Sequence, residues 1–214
     1  MKKQILGAVA LCSAASFAAN ADILGATAGV DFWYADAKIN DVRADDSSFQ
    51  SSVYLAFEHP IPLIPNAKIR YTGVDSSKFN TNFDQYDLIA YYELLDNDLL
   101  KLDIGLNLQH FNGNFGEKIN QSFSEWQPNL YATGTIGIPM LPLSIFGTFS
   151  YGDFDNTSTV DAEAGIALSL IDFLPVSLDV KAGYRIIDHD FNYFNNKPAR
   201  IVNDGFFFGL ELDI

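Results

Sequence analysis

The sequence predicts an all-β fold, a closed antiparallel transmembrane β-barrel of about ten strands, with eight as the alternative if two weak strands are long loop hairpins. Three observations predict it. The chain ends on an unbroken alternation, in which Phe206, Phe208, Leu210, Leu212 and Ile214 share one face and Phe207, Gly209, Glu211 and Asp213 share the other. The same two-faced pattern recurs along the chain, and the connections between the patterned segments alternate between short and long. A strand with one apolar side that runs to the final residue needs a partner there.

The N-terminus precedes these strands. Met1-Lys2-Lys3 is a positive start, Ile5 to Ala15 is a short apolar stretch, and Ala19-Asn20-Ala21 is a small-x-small cleavage site. Together they predict a secretory signal peptide over 1–21 and a single barrel domain over 22–214. The apolar core is too short to span a bilayer as a helix. Leu11 is too large for the residue that precedes a lipoprotein cysteine, so Cys12, the sole cysteine, leaves with the signal. No disulfide or thiolate chemistry is then expected in an exported, oxidising compartment.

Charge excludes one class of partner. The chain carries a net charge of −14, about −16 once Lys2 and Lys3 are removed, so nucleic acid is not expected, because binding it requires Lys and Arg against phosphate.

The strands are expected at 23–34, 48–58, 67–75, 85–95, 100–111, 127–138, 143–152, 160–170, 176–187 and 205–214. Each approaches the roughly 9–11 residues that a tilted strand needs to cross a bilayer. Residues 126–152 lack Asp, Glu, Lys and Arg, but Pro128, Pro139 and Pro142 interrupt them, and Thr133, Thr135 and Thr148 are poor helix formers. Two strands around a Pro-rich turn fit that stretch. The connections at 59–66, 95–98, 139–142 and 171–175 are short or proline-stiffened. Those at 36–47, 76–83, 112–124, 153–159 and 188–204 are mostly longer and polar, the pattern of short periplasmic turns and long outer loops. Both termini are then periplasmic.

Side-chain volume decides which face is inside. Leu100, Leu102, Ile104, Leu106 and Leu108 are bulky, whereas Gly25, Thr27, Gly29, Gly105, Gly165 and Gly183 lie on opposite faces. A barrel this narrow leaves little room inside, so the bulky faces belong to lipid. Unpaired backbone groups in hydrocarbon cost several kcal/mol each, which requires closure of the last strand on the first. Tyr34, Phe57, Tyr71, Tyr86, Tyr92, Phe149, Tyr151 and Tyr184 have outward parity, as aromatic girdles should.

The segments Glu58-His59-Pro60-Ile61-Pro62-Leu63-Ile64-Pro65-Asn66 and Tyr91-Tyr92-Glu93-Leu94-Leu95-Asp96-Asn97, with the terminal Gly209-Leu210-Glu211-Leu212-Asp213-Ile214, resemble a family of small Gram-negative outer-membrane β-barrel proteins of uncharacterised function. The resemblance runs over most of the mature chain and implies an outer-membrane location. The last strand resembles an outer-membrane assembly signal, which implies recognition by the assembly machinery and contact with outer-membrane lipid and lipopolysaccharide. The family implies no catalytic residue, and no cofactor is expected.

The inward faces hold charges of both signs. Lys68, Arg70, Asp87, Glu93, Lys101, Asp103, Glu163, Asp179, Lys181 and Arg185 form an expected lumen network, joined by Glu58, Glu211 and Asp213. Two readings follow: a salt-bridged plug that satisfies buried charges, giving a structural or interaction barrel, or the lining of a narrow pore for ions or small solutes. A third reading, a rim hydrolase (protease or lipid hydrolase), rests on His189 between Asp188 and Asp190 on an outer loop. His59 falls in the Pro-rich turn and His110 faces outward. Asp36, Asp41, Asp45, Asp46, Asp153, Asp155, Asp188 and Asp190 could hold Ca²⁺ or Mg²⁺ weakly, although no EF-hand spacing is present and no dedicated metal site is expected.

Overall fold

A computed structural model describes residues 24–40, 42–43, 47–76, 81–97, 99–115, 121–155, 157–173, 176–194 and 197–214. The expected signal peptide, together with Asp41, Asp45 and Asp46, lies outside the described residues. Ten long antiparallel strands follow one another around a ring: β1 (Gly25–Ile39), β3 (Ser48–Glu58), β4 (Asn66–Ser76), β5 (Thr81–Asp96), β6 (Leu100–Phe115), β7 (Gln121–Gly137), β8 (Leu143–Phe154), β9 (Thr157–Phe173), β10 (Val176–Phe194) and β11 (Lys197–Asp213). A two-residue strand, β2 (Val42–Arg43), folds back on the end of β1. Each long strand pairs with its sequence neighbour, and β11 pairs with β1 from Thr27↔Asp213 to Ile39↔Ile201. The ring is closed with ten strands, not eight.

Alternation places the side chains as volume requires. Along β1, Asp31, Trp33, Ala35 and Ala37 are buried, while Tyr34 on the other face is exposed. Leu55, Ile69, Leu88, Leu106, Leu130, Ile145, Ile166, Phe208 and Leu210 are likewise exposed on the outside. This is the outward apolar band of a membrane-crossing barrel. Tyr34, Phe57, Tyr86, Tyr92, Phe149, Tyr151 and Tyr184 are exposed with it, as their parity requires.

The interior is fuller than the small-inside rule suggests. Trp33, Tyr54, Phe83, Tyr91, Phe111, Tyr131, Phe191 and Phe207 all point inward and are buried. Inward glycines make this fit. A Cβ on Gly29 would stand 2.1 Å from the Tyr54 ring, and one on Gly183 would stand 2.8 Å from the Phe207 ring. Gly29 and Gly183 are each half of a complementary pair, with a neighbouring aromatic filling the space the glycine leaves.

At the end that carries Leu24 and Ile214 the connections are tight. Ala26 and Ile214 exchange two backbone hydrogen bonds of 3.0 Å. In the Pro-rich turn the His59 amide donates to Asn66 Oδ1 at 3.0 Å, and Leu63 takes a φ of 71°. At the opposite end the segments expected as long loops are mostly strand. β10 and β11 continue to Phe194 and from Lys197, and β6 and β7 reach Phe115 and Gln121. Outside the apolar band there is no lipid to enforce one apolar face, so the period-two contrast disappears while the backbone ladder continues.

Candidate functional site

The interior charges do not form one network; they divide into layers along the barrel axis. The central layer holds Arg70, Asp87 and Arg185 with Asp161 of β9. Arg70 Nε donates to Asp87 at 2.8 Å, and its terminal nitrogen donates to Asp161 across the lumen. Arg185 donates twice to Asp161, at 3.0 and 2.9 Å, and once to Ser52 at 2.7 Å. Asn107 donates to Asp87 at 3.0 Å and Gln85 donates to it at 3.1 Å. Side-chain exposure in the two Arg–Asp pairs is 5 % or less. Two cations face two anions, and hydroxyls and amides take up much of the remaining hydrogen-bonding capacity. That is the condition under which buried charge is tolerated.

Beyond this layer, away from the termini, lies an aromatic plug. Phe111 and Phe191 are fully buried, Phe83 is nearly so, and Val74 and Ile201 join them. His189 belongs to this plug. It lies in β10, not on an outer loop, and is 0 % exposed. Its Nδ1 pairs with the Thr159 hydroxyl at 3.1 Å, and its ring meets Phe111 at 4.5 Å. Asp188 lies on the opposite face of the strand and accepts from Arg200 on the outer surface at 2.9 and 2.6 Å. The expected rim grouping of His189 with Asp188 or Asp190 is therefore not formed, because adjacent residues of a strand point to opposite faces. A second buried group, Trp33, Ala35, Ile187 and Phe207, packs beside the layer, and the Arg185 guanidinium stands 5.4 Å from the Trp33 ring centre.

On the terminus side of the central layer, Lys181 contacts Glu211 at 3.2 Å and Asp31 at 3.5 Å and donates to the Tyr54 hydroxyl, which in turn donates to Glu211. Lys68 lies over the Tyr54 ring, 4.3 Å from its centre. Glu163 stands 3.9 Å from Arg185. Nearer the mouth, Glu58 accepts from Tyr91 at 2.8 Å and Glu93 accepts from Asn66 at 3.1 Å. Asp213 accepts from Thr27 at 3.0 Å. Lys101, expected in the network, stands at the mouth instead, 58 % exposed and 3.7 Å from Asp96. Asp103 and Asp179 line the same vestibule, a cavity of about 300 Å³. Asp161 and Asp31 complete the two inner layers and were not among the expected network residues. Both have inward parity, which is the signal that locates them.

A polar collar rings part of the outer surface just past the apolar band, on β1, β2, β10 and β11. Lys38 meets Asp204 at 2.8 Å, Arg43 meets Asp36, and Ser47 donates to Asp36 at 2.6 Å. The Ser47 hydroxyl and then Arg43 hold the Asp36 carboxyl below its usual range. At Asp204 partial burial pushes upward, but hydrogen bonds from Lys38 and Tyr184 outweigh it, and that carboxyl is lowered too. Of the acidic residues considered for Ca²⁺ or Mg²⁺, Asp36 and Asp188 are thus engaged by cations of the chain itself. No group of three or more potential metal ligands occurs among the described residues.

No protein-family model matches the chain, and no curated protein sequence matches it. It is similar to solved structures that include the following three. The translocator domain of the autotransporter NalP from Neisseria meningitidis matches at 13 % identity, over 98 % of this chain and 95 % of that one, with a TM-score of 0.46. Neisserial surface protein A matches at 14 %, over 90 % and 97 %, with a TM-score of 0.42. Outer membrane protease OmpT from Escherichia coli matches at 11 %, over 91 % and 97 %, with a TM-score of 0.43.

Proposed function

We propose that this protein is an integral outer-membrane β-barrel with a sealed lumen and a structural or interaction role at the cell surface. One observation carries the reading. The Arg70–Asp87–Asp161–Arg185 layer fills the barrel and is capped by Phe83, Phe111, Phe191 and His189, so two successive barriers lie across any axial path. An ion moving along the axis would have to break paired buried charges and then cross an apolar plug, and each step is costly. The alternative of a narrow pore would need the charges to line an open path rather than to bind one another.

The termini are assigned to the periplasmic side. The short, proline-stiffened turns lie at that end, and the strands that rise past the apolar band lie at the other. On that assignment the collar of Lys38, Arg43, Asp36, Asp204, Asp188 and Arg200 meets the headgroup zone of the outer leaflet, where lipopolysaccharide is the expected neighbour. The terminal strand would be the element offered to the assembly machinery.

Planar-bilayer recording from purified, folded protein tests it. The expected result is no unitary conductance under conditions where the protein is demonstrably inserted; regular unitary steps from homogeneous protein would overturn the sealed-lumen reading.

A further inference from the structure

The vestibule on the terminus side lies outside the two barriers and is lined by charges of both signs. Its volume, about 300 Å³, lies at the lower end of the range for small-molecule sites, roughly 300–1,000 Å³. Its inner lining includes Tyr54, Glu163, Lys181 and Glu211. Carboxylates near the strand ends line it, Glu58, Asp103, Asp179 and Asp213, with Glu211 and Glu163 further in and Lys101 turned to Asp96. One strand step deeper, on β4, lies Lys68, whose strand partners are Ala56 and Ile89.

Lys68 differs from the other inward cations. Arg70, Lys101, Lys181 and Arg185 each contact a carboxylate, whereas among the described residues the Lys68 ammonium has the Tyr54 ring beside it and no carboxylate in contact. Asp103 likewise makes no ion pair among the described residues. An accessible cation at depth and an accessible anion at the mouth are left for something that enters.

We propose that this vestibule binds a small zwitterionic amino-carboxylate solute, with the carboxylate seated on Lys68 Nζ and the ammonium held at the mouth by Asp103 and Glu58. A purely anionic solute has to pass the acidic mouth and gains only Lys68. A purely cationic one is held at the mouth and leaves Lys68 unmatched. A solute with both charges satisfies both ends, and the rings of Tyr91 and Tyr131, 6.3 Å apart, flank it.

The test uses the full folded chain in detergent micelles, titrated with diglycine and followed by calorimetry and by the resonances of labelled tyrosine. N-acetylglycine supplies the anion alone, and glycine methylamide supplies the cation alone. The expected result is saturable diglycine binding, with each single-charge probe weaker by about tenfold or more, the scale of one lost charge-assisted hydrogen bond. Lys68→Met should weaken diglycine by a similar factor and leave glycine methylamide unchanged. Absence of saturable binding, equal binding of glycine methylamide and diglycine, or an unchanged affinity in Lys68→Met would overturn the proposal. The single-charge probes decide it on the wild type alone if Lys68→Met does not fold. The outcome is independent of the sealed-lumen reading, which conductance tests separately.

Discussion

Replacing Asp161 by Asn keeps the side-chain volume and removes one charge from the centre of the barrel. Asp161 accepts from Arg185 at 3.0 and 2.9 Å, from Arg70, and from Gln85 at 3.4 Å. After the change Arg70 keeps Asp87 at 2.8 Å, but Arg185 retains only Glu163 at 3.9 Å and the hydroxyls of Ser52 and Thr72. One guanidinium is thus left nearly unpaired in a region where side-chain exposure is 2 %. Breaking a buried pair in this way costs about 3–5 kcal/mol. Reversible urea unfolding from lipid vesicles, read by the fluorescence of Trp33 and Trp126, should show a loss of that size. Adding Arg185→Met leaves Arg70 matched one-to-one with Asp87, so the double variant should recover part of the loss, with a coupling of up to about 3 kcal/mol. A loss below about 1 kcal/mol, or strict additivity in the cycle, would refute the claim that these charges are mutually satisfied.

Two further outcomes follow from the outer surface. Leu210, 46 % exposed on the outer face between Val30 and Val180, lies well inside the apolar band, so Leu210→Arg should destabilise the vesicle-inserted barrel by about 2–4 kcal/mol; a change near zero in the same urea assay would mean that this face does not meet lipid. Asp36 has its carboxyl lowered by Ser47 and Arg43, so the stability it lends to the β1–β2 corner is fully present above the ordinary carboxylate range, about 3.9, and is lost as pH falls through the lower folded value. Hydrogen exchange in that corner should therefore separate wild type from Asp36→Asn at neutral pH and converge on it in acid, whereas a constant gap across that range would contradict the assignment.

Much of the architecture was legible because lipid on one side and a packed lumen on the other impose a strict period of two. The closing pair of β11 and β1 followed from the alternation at the C-terminus, and it is formed as expected. The upper parts of the strands were hidden because both of their faces are polar or mixed there: outward Asp36 and Lys38 alternate with inward Ala35 and Ala37 in β1. The same loss of contrast hides the place of His189. Its flanking aspartates suggest a solvated tip, yet they serve the outer collar while the imidazole is sealed among phenylalanines. Parity identified which charges face inward but not which of them meet. Arg70 and Asp161 are 91 residues apart and touch across the lumen, and that contact depends on how the ring is sheared. The glycine faces suggest a small interior, whereas only contacts between strands reveal that Tyr54 lies against Gly29.

The two hydrogen bonds between Ala26 and Ile214 give the ring a symmetry that the linear chain conceals. Each of the ten long strands has two long-strand neighbours, and the last meets the first as continuously as any adjacent pair. Chain order is therefore a convention of synthesis rather than a property of the folded object. A chain joined from Ile214 to Leu24 by a short linker and opened in one of the connections at the far end would write the same ring from a different starting letter. The order in which the strands are made then becomes a variable separable from the structure they reach.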